Sequence, residues 1–162
     1  METNNKTEII QLTGRIIKAG QAAGRALVSS EPIGFLGGLD PETGIITEKG
    51  HPLEGQCVTG VVLCFPTGKG STVGSYTLYW TKKAGTAPAA ILNTESETIV
   101  AVGAIISEIP MVDQVDLGKI CTGDWVTVNG AKITVGDHPA TPAPAPALLL
   151  FRAEQPLAVS RG

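Results

Sequence analysis

The sequence predicts an α+β domain that is rich in β-strands, with a barrel-like sheet at its core and a few short helices. Short apolar segments recur along the chain, separated by turns that hold many of its 20 glycines and 11 prolines. An apolar run, a glycine-rich turn and a helical pattern follow one another between residues 58 and 84. Further on, two alternating segments flank Asn129-Gly130, a pair typical of hairpin turns.

The domain organisation follows from length and composition. A chain of 162 residues can bury the core of one domain, for which we expect residues 8–138. Residues 1–7 are polar, and we expect them to be a disordered N-terminus. Residues 139–162 begin with alternating proline and alanine, which favours an extended polyproline conformation, so we expect a C-terminal tail.

Charge and hydropathy argue against several classes of function. The formal net charge is −3 at pH 7, and Lys82-Lys83 is the only pair of adjacent basic residues, so we expect no nucleic-acid partner. The sequence has no run of about 18 apolar residues, and its N-terminus does not resemble a secretory signal. We therefore expect a cytoplasmic protein with no membrane partner.

The first third of the chain is predicted to consist of strands and turns. Apolar and β-branched residues concentrate at residues 9–19, 25–28 and 45–47, which we predict to be strands. Residues 20–24 are expected to turn the chain between the first two strands. Asp40-Pro41-Glu42-Thr43-Gly44 is a turn by composition.

A first helix is predicted at residues 72–84, after a turn at Gly68-Lys69-Gly70. Four residues behind this turn fall at helical spacing: Val73, Tyr76, Thr77 and Trp80. Gly85 stands where a residue in the left-handed conformation would end the helix. Ser71 or Thr72 is the expected N-cap.

A second helix is predicted at residues 95–103, after a buried strand at residues 89–92. Glu97 is expected in the first turn, where the helix dipole favours negative charge. Gly103 is expected to end or weaken this helix.

The last predicted elements are a short strand and a hairpin. The strand at residues 109–112 contains Pro110, which places it at a sheet edge. The hairpin covers residues 125–135, and Asn129-Gly130 predicts a type I′ turn because both residues tolerate positive φ.

The junction at residues 68–76 is also the main candidate site. A helix N-terminus presents unpaired N–H groups and the positive end of the helix dipole, which favour an anion or an ionised hydroxyl. The spacing of its glycine, lysine and serine residues matches neither a P-loop, nor a dinucleotide-binding fingerprint, nor a nucleophile elbow. The motif alone leaves two interpretations open: a tight connection with a capping serine, or a site for an anion or for catalysis.

Histidine, aspartate and cysteine residues outside this junction favour structural interpretations. His51 precedes a proline in a loop, where it can fix the backbone, and Asp40 favours a turn. Cys57, Cys64 and Cys121 have apolar neighbours and no C-x-x-C spacing, which is typical of small buried residues. The first two are seven residues apart in one predicted strand and would lie on opposite faces. We therefore expect no metal site and no disulfide framework in this chain.

Several blocks of the sequence, taken in order, resemble one protein family. They lie at residues 35–44, 51–53, 65–76, 87–91, 99–106 and 109–113, and include Gly-Lys-Gly-Ser-Thr-Val-Gly-Ser-Tyr at residues 68–76. From about Gly14 to about Val135 the chain resembles the small subunit of the aconitase X family, the swivelling domain of an aconitase-like dehydratase. Residues 68–76 are most similar to the phosphomevalonate dehydratase branch. The cis-3-hydroxy-L-proline dehydratase branch tends to have cysteine where Thr72 stands and often arginine where Lys69 stands.

The resemblance implies a swivelling β/β/α domain and a hydro-lyase that is active only with its large subunit, as a heterodimer or a higher assembly. The large subunit would hold an iron–sulfur cluster, and this chain would bind no cofactor. Ser71 matches the serine base of the family, and the implied substrate-binding residues are Gly68, Lys69, Gly70, Thr72 and Ser75. The implied substrate is a small phosphorylated compound, (R)-5-phosphomevalonate, with cis-3-hydroxy-L-proline as the alternative. A non-catalytic anion-binding or scaffold subunit remains an alternative of another class.

Overall fold

Eight strands form one sheet in the computed structural model, which describes residues 9–136. Counting also four strands in two small sheets, the strands are β1 (Ile10–Thr13), β2 (Arg15–Lys18), β3 (Gln21–Val28), β4 (Ile33–Gly34), β5 (Leu39–Asp40), β6 (Ile45–Ile46), β7 (Val62–Phe65), β8 (Gly68–Lys69), β9 (Ala90–Asn93), β10 (Met111–Asp113), β11 (Trp125–Asn129) and β12 (Lys132–Gly136). The helices are α1 (Gly74–Ala84), α2 (Thr98–Ser107) and a short 3₁₀ turn at Leu117–Lys119.

The eight-stranded sheet nearly closes into a barrel. Its order is β1-β12-β11-β3-β7-β9-β10-β2, so the two outermost strands are consecutive in the chain and only Gly14 separates them. A side chain at this position would collide with the carbonyl of Asp113 and with Val112. Glycine therefore lets the chain cross from one edge of the sheet to the other. The predicted barrel-like, β-rich α+β fold is confirmed, although the single strand expected at residues 9–19 is broken here.

Four neighbouring strands, β3, β7, β9 and β10, run parallel to one another. Every residue of β7, β9 and β10 is buried. These strands are apolar, as is typical of parallel strands covered on both faces, except for their last residues Asn93 in β9 and Asp113 in β10. α1 connects β7 to β9, after the short β8, and α2 connects β9 to β10. This is the alternation of strands and helices that the sequence predicts.

Apolar cores fill both faces of this part of the sheet. One core joins the helices to the sheet through Leu78 of α1, Val100 of α2, and Leu63, Phe65 and Ile91 of the strands. The other core joins the parallel strands to the hairpin, through residues that include Val62, Cys64, Leu92, Val126 and Ile133. The two helices are thereby fixed to one outer face of the barrel.

The helices differ from the prediction at their ends. α1 begins two residues later than predicted and ends as predicted, because Gly85 adopts φ +81°. α2 begins three residues later, because Glu97 is its N-cap and not a first-turn residue. The Glu97 carboxylate accepts hydrogen bonds from the N–H groups of Ile99 and Val100, both at 2.8 Å.

The prediction that Gly103 ends α2 was wrong, since the helix continues to Ser107, and the alternative that it weakens the helix stays a prediction. A Cβ atom at Gly103 would lie 2.7 Å from Cδ1 of Leu78 and 3.3 Å from Cα of Ser75. The glycine therefore serves the close approach of α2 to α1.

Two predictions about strands were also wrong. β10 is not an edge strand, because it lies between β9 and β2. Pro110 precedes β10, so its missing N–H costs no ladder bond, and its carbonyl accepts a hydrogen bond from the Ile91 N–H at 2.9 Å. The turn expected at residues 20–24 is mostly strand, because β3 begins at Gln21 and pairs from there with β11.

The hairpin at residues 125–135 is confirmed, with a different turn. Asn129 still pairs with β12, so Gly130 and Ala131 form the loop. Gly130 has φ +62°, and Glu108 and Gln114 are the only non-glycine residues with positive φ in the described range 9–136. Positive φ at the first loop residue alone is the pattern of a type II′ turn and not of type I′.

The predicted N-terminal segment 1–7 and C-terminal tail 139–162 lie outside the described residues. Among residues 9–136, no helix has both the length and the apolar character needed to cross a membrane.

Candidate active site

The segment from Gly68 to Ser75 follows the buried strand β7 and leads into α1. Its first two residues were predicted to lie in a turn. They instead form the short strand β8, which pairs in parallel with β4. Gly70 then adopts φ +97°, a conformation that favours glycine, and turns the chain toward the helix. Ser71, Thr72 and Val73 follow at the surface.

The hydroxyl of Ser71 is exposed at the N-terminal end of α1. Its Oγ accepts a hydrogen bond from the N–H of Val73 at 3.1 Å, and its carbonyl accepts one from Gly74 at 2.9 Å. The N-cap of α1 is Val73, without a side-chain cap, so the prediction that Ser71 or Thr72 is the N-cap was wrong. Ser71 instead satisfies one donor just before the helix and leaves its own O–H directed to no protein acceptor within residues 9–136.

Two backbone donors beside this hydroxyl have no hydrogen-bond partner among residues 9–136, namely the N–H groups of Ser71 and Thr72. The next donors are used within the turn, since Ser75 N–H bonds to the carbonyl of Thr72 at 3.1 Å. Unpaired N–H groups at the positive end of a helix dipole favour a negatively charged group. The surroundings of Ser71 therefore combine a free hydroxyl with two free donors.

Ser75 is placed differently from Ser71. It is buried, and its Oγ donates a hydrogen bond of 2.6 Å to the carbonyl of Ile99 in α2. Its hydroxyl therefore joins the two helices, whereas that of Ser71 lies at the exposed surface. A contact of Ser75 with substrate stays a prediction.

Gly68 is buried beneath the start of α2. A side chain here would collide with the Glu97 carboxylate and with Val100. The need for glycine at this position therefore comes from the capped end of α2, whatever its role toward a substrate.

Lys69 forms an ion pair that the sequence did not reveal. Its Nζ lies 2.7 Å from Oε2 of Glu48, and both side chains are partly exposed. The pair borders a shallow hollow of about 290 Å³ whose other lining residues are Gly34, Leu36, Gly37, Gly38 and Gly70. An anion that binds Lys69 here has to compete with the Glu48 carboxylate.

Asp113 is a second polar residue that sequence patterns missed. Its buried carboxylate accepts hydrogen bonds from Arg15 Nε at 3.0 Å, from Arg15 Nη2 at 2.7 Å and from the Ser96 N–H at 3.0 Å. The hydrogen bond from Arg15 is the main cause that lowers the pKa of Asp113. This carboxylate therefore ties β2 to β10 and to the loop that enters α2.

The structural interpretations of His51 and Asp40 are confirmed. The His51 ring is buried, with Nδ1 accepting from the Leu53 N–H at 3.0 Å, so Nε2 carries the proton and donates to the Pro32 carbonyl at 2.9 Å. Asp40 accepts the N–H of Glu42 at 2.9 Å in its turn. Both side chains shape loops.

The cysteines are free and only partly match expectation. Cys64 is buried in β7, and this burial raises the pKa of its thiol to about 12. Cys57 and Cys121 are exposed, contrary to the prediction, and Cys57 does not share a strand with Cys64, since it forms an isolated bridge with Ile45. Within the described part of the chain, no group of three His, Cys, Asp or Glu side chains could hold a metal ion.

Comparison with known proteins identifies a family. A model of the aconitase X swivel domain matches residues 11–136. The chain is 55% identical over 126 residues to the phosphomevalonate dehydratase small subunit of Methanosarcina acetivorans, a match that covers 76% of this chain and 88% of the relative. It is also 55% identical over 120 residues to the protein of the same name from Thermococcus kodakarensis, covering 74% of this chain and 90% of the relative.

Solved structures agree with these sequence matches. The crystal structure of holo aconitase X from Thermococcus kodakaraensis superimposes with a TM-score of 0.76 at 52% identity, over 78% of this chain and 98% of that chain. The solution NMR structure of a UPF0107 protein matches with a TM-score of 0.70 at 47% identity, over 76% of this chain and 97% of that one. With its nearly closed sheet, its two outer helices and the serine at the start of the first, the chain belongs to the aconitase X swivel-domain family.

Proposed function

We propose that this chain is the small subunit of a phosphomevalonate dehydratase, a hydro-lyase that converts (R)-5-phosphomevalonate into trans-anhydromevalonate 5-phosphate in the mevalonate pathway of isoprenoid biosynthesis. The observation that carries the proposal is the 55% identity to relatives of that name over 88–90% of their length. The three free cysteines, two of them exposed, fit a reducing compartment such as the cytoplasm.

The partner of this chain is a large aconitase X-type subunit, in keeping with the relatives' designation as small subunits. The family supports an iron–sulfur cluster on that partner, where it supplies a Lewis acid for the hydroxyl group that leaves the substrate. The contribution of the present chain is then a base and a set of anion-binding donors.

Ser71 is the proposed base. Its ionised Oγ removes a proton from the carbon next to the one that bears the leaving hydroxyl. The electrons of that C–H bond form the C=C bond as the C–O bond breaks and hydroxide leaves. The proton now on Ser71 Oγ then passes to the hydroxide, so that water is released and Oγ is ionised again. The Val73 N–H, 3.1 Å from Oγ, and the positive end of α1 both favour the alkoxide over the neutral hydroxyl.

Substrate binding is proposed for the donors around this base. The free N–H groups of Ser71 and Thr72 and the ammonium of Lys69 are suited to the carboxylate or the phosphate of the substrate. Ser71 is exposed in the single chain, where water would protonate an alkoxide. Docking and closure of the large subunit over the substrate would exclude that water.

The decisive experiment is Ser71→Ala in the complex reconstituted with the large subunit. Loss of a general base lowers kcat by about 10²- to 10⁴-fold, and the variant should fall in that range with normal assembly and cluster content. Ser30→Ala, at an exposed serine outside the Gly68–Ser75 segment, is the matched control and should keep wild-type kcat. Turnover of Ser71→Ala within a few-fold of wild type would favour the non-catalytic scaffold instead.

The same assay ranks the two candidate substrates. The wild-type complex should dehydrate (R)-5-phosphomevalonate and not cis-3-hydroxy-L-proline. Turnover of hydroxyproline alone would reverse this ranking and leave the role of Ser71 open to the same test.

A further inference from the structure

The two helices on the outside of the barrel expose an unusual amount of apolar surface. On α1, Tyr76 is 67% exposed and Trp80 54%, and Val73 and Tyr79 are exposed beside them. Val73, Tyr76 and Trp80 are among the residues whose spacing predicted the helix. The buried face of α1 nevertheless consists of other residues, Gly74, Ser75, Leu78 and Thr81. Both tyrosines of the chain and one of its two tryptophans thus lie on a solvent-facing surface.

The neighbouring helix α2 carries no charged side chain between Thr98 and Ser107. Val102, Ile105 and Ile106 are nevertheless 41–47% exposed. A helix that is apolar on all sides is typical of an interior position, because a solvent-facing helix normally places charged residues outward. The composition of α2 therefore indicates that another body covers it.

The exposed surfaces of the two helices form one patch. The helices are in direct contact through Gly103 and through the Ser75–Ile99 hydrogen bond. Between them runs an apolar groove of about 350 Å³, lined by Thr72, Ser75, Tyr76, Thr98, Ile99, Val102 and Ile106. We call this surface, made of Val73, Tyr76, Tyr79, Trp80, Val102, Ile105 and Ile106, the helix patch.

The polar contacts of the helix patch lie at its margin. Trp80 Nε1 donates to Glu42 at 2.8 Å, and Lys83 Nζ lies 5.5 Å from the centroid of the Tyr79 ring. An apolar, aromatic centre with a polar margin is the usual anatomy of a specific protein interface. Tyrosine and tryptophan are also the residues that most often dominate binding energy there.

We propose that the helix patch is the surface on which the large subunit docks, through an uncharged apolar face of that subunit. The inference rests on the proposed function for the existence of the partner. The groove starts at Thr72, next to Ser71, so a body seated in it reaches the base. A second copy of this chain is the alternative occupant, and the experiments below distinguish it from the large subunit.

The test measures the affinity of the full chain for its large subunit, with no use of activity. Val102→Glu and Tyr76→Glu place a charge on the helix patch at exposed positions, and each should raise Kd about 30-fold or more. Ile16→Glu is the matched control, since Ile16 is 45% exposed but lies on β2 outside the patch, and its Kd should change less than about 3-fold. Wild-type Kd in both patch variants would overturn the proposal.

Footprinting provides a measurement that does not depend on a variant. Hydroxyl radicals should oxidise Tyr76 and Trp80 in the free wild-type chain and leave them largely protected in the complex. Equal oxidation in both states would overturn the proposal even if a patch variant failed to fold. A dimer of the isolated chain that Val102→Glu dissociates, with large-subunit affinity unchanged, would assign the patch to a second copy and overturn it as well.

The outcome is separable from that of the catalytic proposal. Ser71→Ala should bind the large subunit with wild-type Kd, because Ser71 lies beside the helix patch and not within it. Normal kcat in Ser71→Ala would overturn the role of Ser71 as base without affecting the proposed interface. Normal binding by both Val102→Glu and Tyr76→Glu would overturn the interface without affecting the proposed base.

Discussion

The Ser71 segment and the Arg15–Asp113 pair both lie where a loop enters a helix, but their polar groups are satisfied to different degrees. The buried Asp113 carboxylate accepts three hydrogen bonds, from Arg15 and from the Ser96 N–H before α2. The exposed Ser71 hydroxyl accepts one, and the N–H groups of Ser71 and Thr72 have no partner within residues 9–136. A satisfied, buried site stabilises the fold, whereas unsatisfied donors at the surface are available to a ligand.

The largest effect on stability is expected from Asp113→Asn. The change removes the buried negative charge that holds Arg15. Because Arg15 is more than half exposed, solvent screens the ion pair and limits the expected loss in the free energy of unfolding to about 2 kcal/mol. Asp116→Asn, at an exposed aspartate that bonds only the Gly118 N–H, is the matched control and should cost about 1 kcal/mol or less. Denaturant titrations of the three proteins at pH 7 measure the difference.

The difference in stability between wild type and Asp113→Asn is expected to depend on pH. The pKa of Asp113 is lower in the folded chain than its ordinary value, so its contribution is complete above about pH 5. As the pH falls below about 4 and through the folded pKa, the contribution is lost, and the curves of wild type and Asp113→Asn should converge. A gap that stays constant down to pH 2 would contradict this assignment. In the assembled enzyme, kcat of Asp113→Asn should stay near wild type, in contrast to Ser71→Ala.

A smaller effect on stability is expected from Ser75→Ala, which tests the other serine of the same segment. Removal of the 2.6 Å hydrogen bond to the Ile99 carbonyl should cost about 1 kcal/mol, because that bond joins α1 to α2. Ser107→Ala is the matched control, since Ser107 is also a buried serine but its Oγ has no partner among the described residues. It should be close to neutral. A kcat loss in Ser75→Ala as large as that in Ser71→Ala would contradict the packing role.

Local signals in the sequence predicted those parts of the fold that depend on neighbouring residues. The hairpin around Gly130, the helix end at Gly85 and the buried strands β7 and β9 each follow from a few adjacent side chains. The type of hairpin turn was wrong, because the register places Asn129 in the strand.

The contacts that the sequence did not reveal join distant residues. Lys69 and Glu48 are 21 positions apart, and Arg15 and Asp113 are 98 apart, so no local pattern connects them. The edge position assigned to β10 failed for the same reason, since β2 covers it from the other end of the domain. Contacts between residues this far apart in the sequence can be identified only from the tertiary structure.

The spacing of Val73, Tyr76 and Trp80 predicted a helix correctly, although these residues face solvent. Helical periodicity shows that an apolar stripe exists and cannot show what covers it. In most domains the cover is the chain's own core. Here the core side of α1 is built from small and hydroxyl-bearing residues around Leu78, which the hydrophobic pattern overlooks.

The smallest effect is expected from the substitution of Lys69, whose side chain has a partner in the free chain and is still accessible to a ligand. In the free chain Lys69 is satisfied by Glu48 at 2.7 Å, but both groups are partly exposed, so the pair contributes little to stability. If Lys69 binds the substrate phosphate, Lys69→Ala should raise KM about tenfold and lower kcat less. Glu48→Gln removes the competing carboxylate and should leave KM unchanged or lower it. Steady-state kinetics of both variants in the assembled enzyme distinguish phosphate binding by Lys69 from the alternative, in which the ion pair only shapes the hollow. In that alternative the two substitutions break the same contact and should raise KM equally.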